Sequence, residues 1–152
     1  MYRAPDAPAR PLFIVAGNER VIAYRRSDGA VAWAYAFGVE RGFLEPQESS
    51  PNQPLALEFM GDRIFLGLPD KVVCLDYASG QVVGQVMLPE PAARPQLLVD
   101  GTDVFVITVG SVLCLDPAGN VRWCVAHGLM VRGSPTVGLP GNVRAGDSFG
   151  WK

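Results

Sequence analysis

Three cysteines, one histidine and a scatter of aspartates are the residues of this sequence with the most specific chemistry. Cys74 and Cys114 could act as thiolate ligands or a redox pair. They stand, however, at one position of two segments that read almost alike, "KVVCLDYASGQVV" and "SVLCLDPAGNVRW". Equivalent positions on neighbouring structural units lie too far apart for an S–S bond or a shared ion, so both are expected to be buried, inert small hydrophobes. Cys124 follows Trp123 with no second Cys or His at metal-binding spacing. An odd number of cysteines argues against a disulfide framework and fits a reducing compartment.

His127 is the only histidine, and no Gly-x-Ser-x-Gly elbow accompanies it as a nucleophile. A loop or strand-end role is expected. Asp100, Asp103 and Asp116 lack the alternating acidic loop of a calcium site, and turn formation accounts for them better. The glycines form neither a Walker loop nor a dinucleotide fingerprint. No catalytic residue, metal site or cofactor site is expected, and the chain is read as a non-enzyme.

A formal charge of −2 gives no basic surface for nucleic acid or an anionic membrane, so neither is expected as a partner. No run approaches the length of a membrane span, and LFIVA is too short for a signal-peptide core. A 49% hydrophobic content is ample for one packed domain spanning residues 1–152. A cytoplasmic location is expected, or a virion if the chain is a phage component.

What must position these residues is a repeat. "RVIAYRRSDGAVAW", from Arg20, is a third and fainter copy of the two segments above. Together they align Ala23, Cys74 and Cys114; Arg25, Asp76 and Asp116; Gly29, Gly80 and Gly119; and Trp33 with Trp123, where the middle copy has Gly84. Repetition at a spacing near forty residues, as between Lys71 and Ser111, marks a solenoid or propeller. Each unit reads as β: apolar runs are separated by Gly-containing turns such as Met60-Gly61-Asp62 and Asp100-Gly101-Thr102, with no helical periodicity. Asp116-Pro117-Ala118-Gly119 suits a type I turn followed by a left-handed Gly and a bulge, and Asp76 to Gly80 is the same corner with one more residue. The second copy predicts strands over 55–60, 63–68, 71–76 and 81–88.

The fold expected is all-β, with propeller-like blades of four-stranded antiparallel meanders, about three per chain. Blade 1 is placed at 11–37, a surface loop at 38–54, blade 2 at 55–88, blade 3 at 96–126, and a C-terminal strand and tail at 127–152. The motifs "CLDYASGQVVG" and "CLDPAGNVRW" resemble the pyrroloquinoline-quinone-type propeller repeat, with "AYRRSDGAVAW" a looser version. The resemblance implies the blade fold. It does not imply quinone chemistry, because the family's quinone enzymes use a larger ring and commonly an adjacent Cys-Cys pair, which this chain lacks. Trp33 and Trp123 are expected to be inter-blade anchors, each burying a large apolar area.

The two ends complete the expectations. Blade 1 lacks an opening strand, whereas "GSPTVGL", with Pro135 and Val137, reads as an opening strand with nothing after it. Phe149 and Trp151 lie outside any repeat and are expected to dock in a groove. Three blades are too few for a ring of the usual four to eight. Completion by self-association or a larger assembly is therefore expected, with C-terminal strands exchanged in a homodimer of six blades. The function expected is a structural, protein-interaction module, for example a phage tail or capsid decoration component. A small-ligand or glycan-binding propeller is the alternative.

Overall fold

The computed structural model of the chain describes residues 10–17, 19–36, 56–90, 95–129 and 136–144. The expected loop at 38–54, Pro135, Phe149 and Trp151 lie outside the described residues. Every described element is a β-strand. Blade 1 comprises β1 (Leu12–Gly17), β2 (Arg20–Arg25) and β3 (Val31–Ala36). Blade 2 comprises β4 (Ala56–Met60), β5 (Arg63–Leu68), β6 (Lys71–Asp76) and β7 (Val82–Met87). Blade 3 comprises β8 (Gln96–Asp100), β9 (Asp103–Ile107), β10 (Ser111–Leu115) and β11 (Val121–Ala126). Each is an antiparallel meander in chain order. The expected all-β blades are thus present, and the strand bounds of blade 2 shift by only one residue at three ends.

The C-terminal part differs from expectation. The strand read as standing alone is followed by another: β12 (Val137–Leu139) pairs with β13 (Asn142–Arg144) in a two-stranded hairpin. Pro140-Gly141 provides the turn, with Gly141 at φ 83°. Gly61 and Gly101 take the same left-handed conformation in the opening hairpins of blades 2 and 3. The hairpin therefore occupies the place of the first two strands of a fourth unit. Its pairing also contrasts with the expected exchange: β12 is hydrogen-bonded to β13, because a two-residue Pro-Gly turn brings its own successor alongside first.

Packing between blades explains the composition of the middle one. Residues alternate between the two faces of a strand. Ile64, Leu66, Leu68, Val73 and Leu75 pack toward blade 1, against Val21, Ala23 and Trp33. Phe65, Val72 and Cys74 pack toward blade 3, against Leu97, Val104, Val106, Leu113 and Leu115. Because both faces of β5 and β6 are covered, these strands are continuous apolar runs rather than alternating ones.

The repeat fixes the corners as well. Register shifts fall between Ala23 and Tyr24, Cys74 and Leu75, and Cys114 and Leu115, one aligned position in all three blades. Opposite them, Gly29, Gly80 and Gly119 have φ of 76°, 76° and 90°. A Cβ in this region meets the backbone, so the bulged corner selects glycine. Gly119 N–H donates to Asp116 C=O at 2.9 Å, closing the four-residue turn, whereas Gly80 and Gly29 donate one residue further back, to Asp76 and Arg25, at 2.8 Å.

Candidate protein-interaction surfaces

At the corners, aspartate works as a turn residue. Asp116 Oδ1 accepts from the N–H groups of Ala118 (2.9 Å) and Asn120 (2.8 Å). Asp76 Oδ2 accepts from the Ser79 N–H (3.0 Å) and hydroxyl (2.8 Å). Hydrogen bonds to the charged form, led by Asn120 for Asp116 and Ser79 for Asp76, hold both carboxyls below their usual range. The first corner has Arg25 at this position. There Asp28 substitutes from inside the turn, accepting from Ala30 N–H at 3.0 Å and pairing with Arg25 at 2.9 Å.

These corners are where blades join. The corner of blade 2 sits on the outer strand of blade 1: a Cβ on Gly80 would overlap the Trp33 ring, whose Nε1–H donates to Tyr77 C=O at 2.9 Å. The corner of blade 3 sits in the same way on blade 2. A Cβ on Gly84, the residue aligned with Trp33, would come 2.7 Å from Ala118 O, and one on Gly119 would touch Gly84 Cα at 3.8 Å. Where the indole is missing, the two backbones close the distance. Gly80 and Gly119 are consequently buried.

The same joint is unmade at both ends. Gly29, the corner of blade 1, is exposed, and a Cβ there would have nothing within 4 Å. Trp123, on the outer strand of blade 3, is 43% exposed, against 9% for Trp33. This corrects the expectation that both tryptophans are buried anchors: Trp123 lies at the anchor position, but among the described residues no corner packs over it. Its ring leans on Phe105 at 6.2 Å between centroids. Val121 and Val125 on the same strand are 46% and 53% exposed. Val137 is half-buried within the C-terminal hairpin.

Blade 1 has a further unfinished feature. Leu12 turns its N–H and C=O away from β2, where the Tyr77 hydroxyl donates to the carbonyl (3.1 Å) and accepts from the amide (2.8 Å). Strand alternation puts the N–H and C=O of Ile14 and Ala16 on that same edge. Among the described residues no strand pairs with it. Phe13 and Val15 beside it are 62% and 44% exposed. A groove of about 460 Å³ runs here between Leu12, Phe13, Ile14 and the Phe59–Tyr77 edge-to-face pair.

The candidates for chemistry are dispersed. Cys74 and Cys114 are free and buried, Cys124 is free and exposed. Burial pushes the Cys74 thiol up to about 11 and raises Cys114 as well, so neither is a ready thiolate. His127 follows β11, its Nε2 contacting Thr108 C=O at 3.1 Å while Nδ1 accepts from Leu129 N–H. Ser111 lies nearby but donates to Glu90 (2.6 Å), which also accepts from Thr108 Oγ1 (2.7 Å). With His127 on a carbonyl and Ser111 on a carboxylate, these groups form a clamp between the linker after blade 2 and the β9–β10 turn. Nothing in the sequence pattern singled out Glu90 or Tyr77, because neither falls on an aligned position with a repeated partner. A larger cavity, about 800 Å³, lies at the corner end of blades 1 and 2 and is lined by Arg10, Arg25, Arg26 and Tyr77. Arg10 lies over the Tyr77 ring at 5.2 Å, and Arg26 donates to Arg10 C=O at 2.9 Å.

No protein-family model matches the chain, and no characterised protein matches it by sequence. Among solved structures it is similar to BamB from Moraxella catarrhalis, with 23% identity over 78% of this chain and 35% of that one, at a TM-score of 0.58. It is also similar to a europium-containing methanol dehydrogenase, with 17% identity over 78% of this chain and 23% of that one, TM-score 0.58. Saccharomyces cerevisiae Sqt1 aligns at 16% identity over 78% of this chain and 32% of that one, TM-score 0.61. The chain spans well under half the length of each. Identities this low carry the architecture and not the activity. Stacked four-stranded meanders, repeated corner joints and these similarities together show that the chain is built from blades of a β-propeller.

Proposed function

We propose that the chain is a non-enzymatic structural module for protein interaction, whose blade ends are covered by a protein partner. One observation carries this reading. The contact that joins blade to blade inside the chain is available, unmade, at both ends: as a receptive corner at Gly29 and as an apolar outer strand at Trp123. A cluster of exposed Val and Trp on one strand is a protein-binding signature, since aromatic residues concentrate binding energy. Native mass spectrometry of the protein isolated without denaturation tests it. The chain is expected in particles heavier than its own 16.3 kDa, and recovery of only the free chain contradicts the proposal.

A second reading, a small-ligand or glycan site, is favoured by the arginine-lined cavity at the corner end of blades 1 and 2. Apolar walls with a few convergent polar groups suit a bound small molecule. Titration with anionic sugars while monitoring tryptophan emission decides it: a saturable change abolished by Arg26→Ala supports a ligand site, and a flat response discards it.

A further inference from the structure

The joint between blades recurs at one repeat position, and its two halves remain at the two ends of this chain. Outer-strand residue 33 meets the corner at Gly80, and outer-strand residue 84 meets the corner at Gly119. Residue 123 is next in that series and the corner at Gly29 precedes it, yet Trp123 is 43% exposed and Gly29 is open. A surface that binds the next member of a repeat and a surface that is bound by the previous one are complementary by construction.

The geometry points to a second copy of this chain as the occupant, with Trp123 of each copy seated on the Gly29 corner of the other. This rests on the interaction-module reading above and names its partner. Two such joints related by a two-fold axis close six blades, inside the four-to-eight range in which propellers close. Trp123 matches the better-made of the two internal joints, the one with an indole. In that joint Trp33 Nε1–H donates to the carbonyl of Tyr77, the residue after the aligned Asp76. The corresponding carbonyl in the first corner is that of Arg26, and among the described residues Trp123 Nε1 has no hydrogen-bond partner. The corner glycine is open as the joint requires: at Gly80 the indole occupies the space a Cβ would take, and at Gly29 the same space is empty.

Strand inventory agrees. Among the described residues blade 1 has the second, third and fourth strands of a unit without a first, while β12 occupies the place of a first strand.

Sedimentation velocity on the full chain tests the joint through two variants and their mixture. Trp123→Asp removes the indole, and Gly29→Asn keeps the left-handed backbone that Asn tolerates while filling the seat. Wild type is expected at twice the 16.3 kDa chain mass. Each variant alone is expected as single chains, with dissociation constants raised at least tenfold. Mixed in equal amounts, the variants are expected to recover a two-chain species, because the Gly29→Asn copy retains Trp123 and the Trp123→Asp copy retains Gly29. Protection of Cys74 and Cys114 from thiol reagent shows that each variant is folded. A two-chain mass that survives in both single variants overturns this joint while leaving the chain an interaction module. Wild type that stays a single chain at all concentrations overturns the second copy as partner, and the native-isolation experiment then decides separately whether a different protein binds.

Discussion

The Tyr77 hydroxyl bonds to both backbone groups of Leu12, donating to its carbonyl at 3.1 Å and accepting from its amide at 2.8 Å. A side chain of blade 2 thereby takes the first pairing place on the open edge of blade 1. Its carbonyl meanwhile receives the Trp33 indole, so one residue holds both the inner and outer strands of the neighbouring blade. Tyr77→Phe keeps the ring against Phe59 and loses only the hydroxyl. A loss of about 1–2 kcal/mol in urea unfolding is expected, with faster exchange of the Leu12 amide. Unchanged exchange at Leu12 would remove Tyr77 from this role.

Gly80 and Gly29 share a φ of 76° but differ in what a Cβ would meet. In single chains, at concentrations where no second copy is bound, alanine at Gly29 should cost only the backbone term, about 1–2 kcal/mol. Alanine at Gly80 adds overlap with the Trp33 ring, about 1–3 kcal/mol more. Equal losses in the two variants, measured by chemical denaturation, would show that the corner is not seated on the indole.

The cysteines should divide by exposure. Native protein is expected to react with a thiol reagent at Cys124 alone, and rapid modification of Cys74 or Cys114 without unfolding would contradict the packing of blades 2 and 3. Burial raises the Cys74 thiol from 9.0 to about 11. The folded state therefore holds this proton more tightly than the unfolded chain. The resulting stabilisation is complete below pH 9 and is lost as pH rises toward about 11. Cys74→Ala should make stability less steeply dependent on pH across that window.

Asp76 and Asp116 should act on the acid side. Both carboxyls lie below their ordinary value of 3.8 because turn N–H groups and the Ser79 hydroxyl bind the charged form. Their stabilisation is present above that value and is lost as pH falls through the lowered folded pKa. Asp116→Ala is expected to lower stability at neutral pH and to flatten the loss as pH falls below 3.8, read by thermal unfolding at fixed ionic strength.

The blades were legible in the sequence because their determinants are local and repeated. Bulged corners demand glycine at 29, 80 and 119, and the doubly covered strands of blade 2 demand apolar runs. The strand Asn142–Arg144 is not legible in the sequence, although Leu139-Pro140-Gly141-Asn142 is a turn signal, because a three-residue strand carries almost no periodicity. Trp123 departs from its aligned partner Trp33 for a different reason: alignment reports a repeat position, but burial depends on the neighbour, and blade 3 has no following corner among the described residues. Tyr77 and Glu90 act across blades through single hydrogen bonds, which leave no pattern along the chain.

The native mass of the purified chain tests most directly whether another protein surface covers the blade ends at Gly29 and Trp123. Sedimentation equilibrium over increasing concentration should show a species of two chains forming from the 16.3 kDa unit, with Trp123 emission shifting to shorter wavelength as it forms. A single-chain mass throughout, with Trp123 emission unchanged and no protein bound after native isolation, would contradict it.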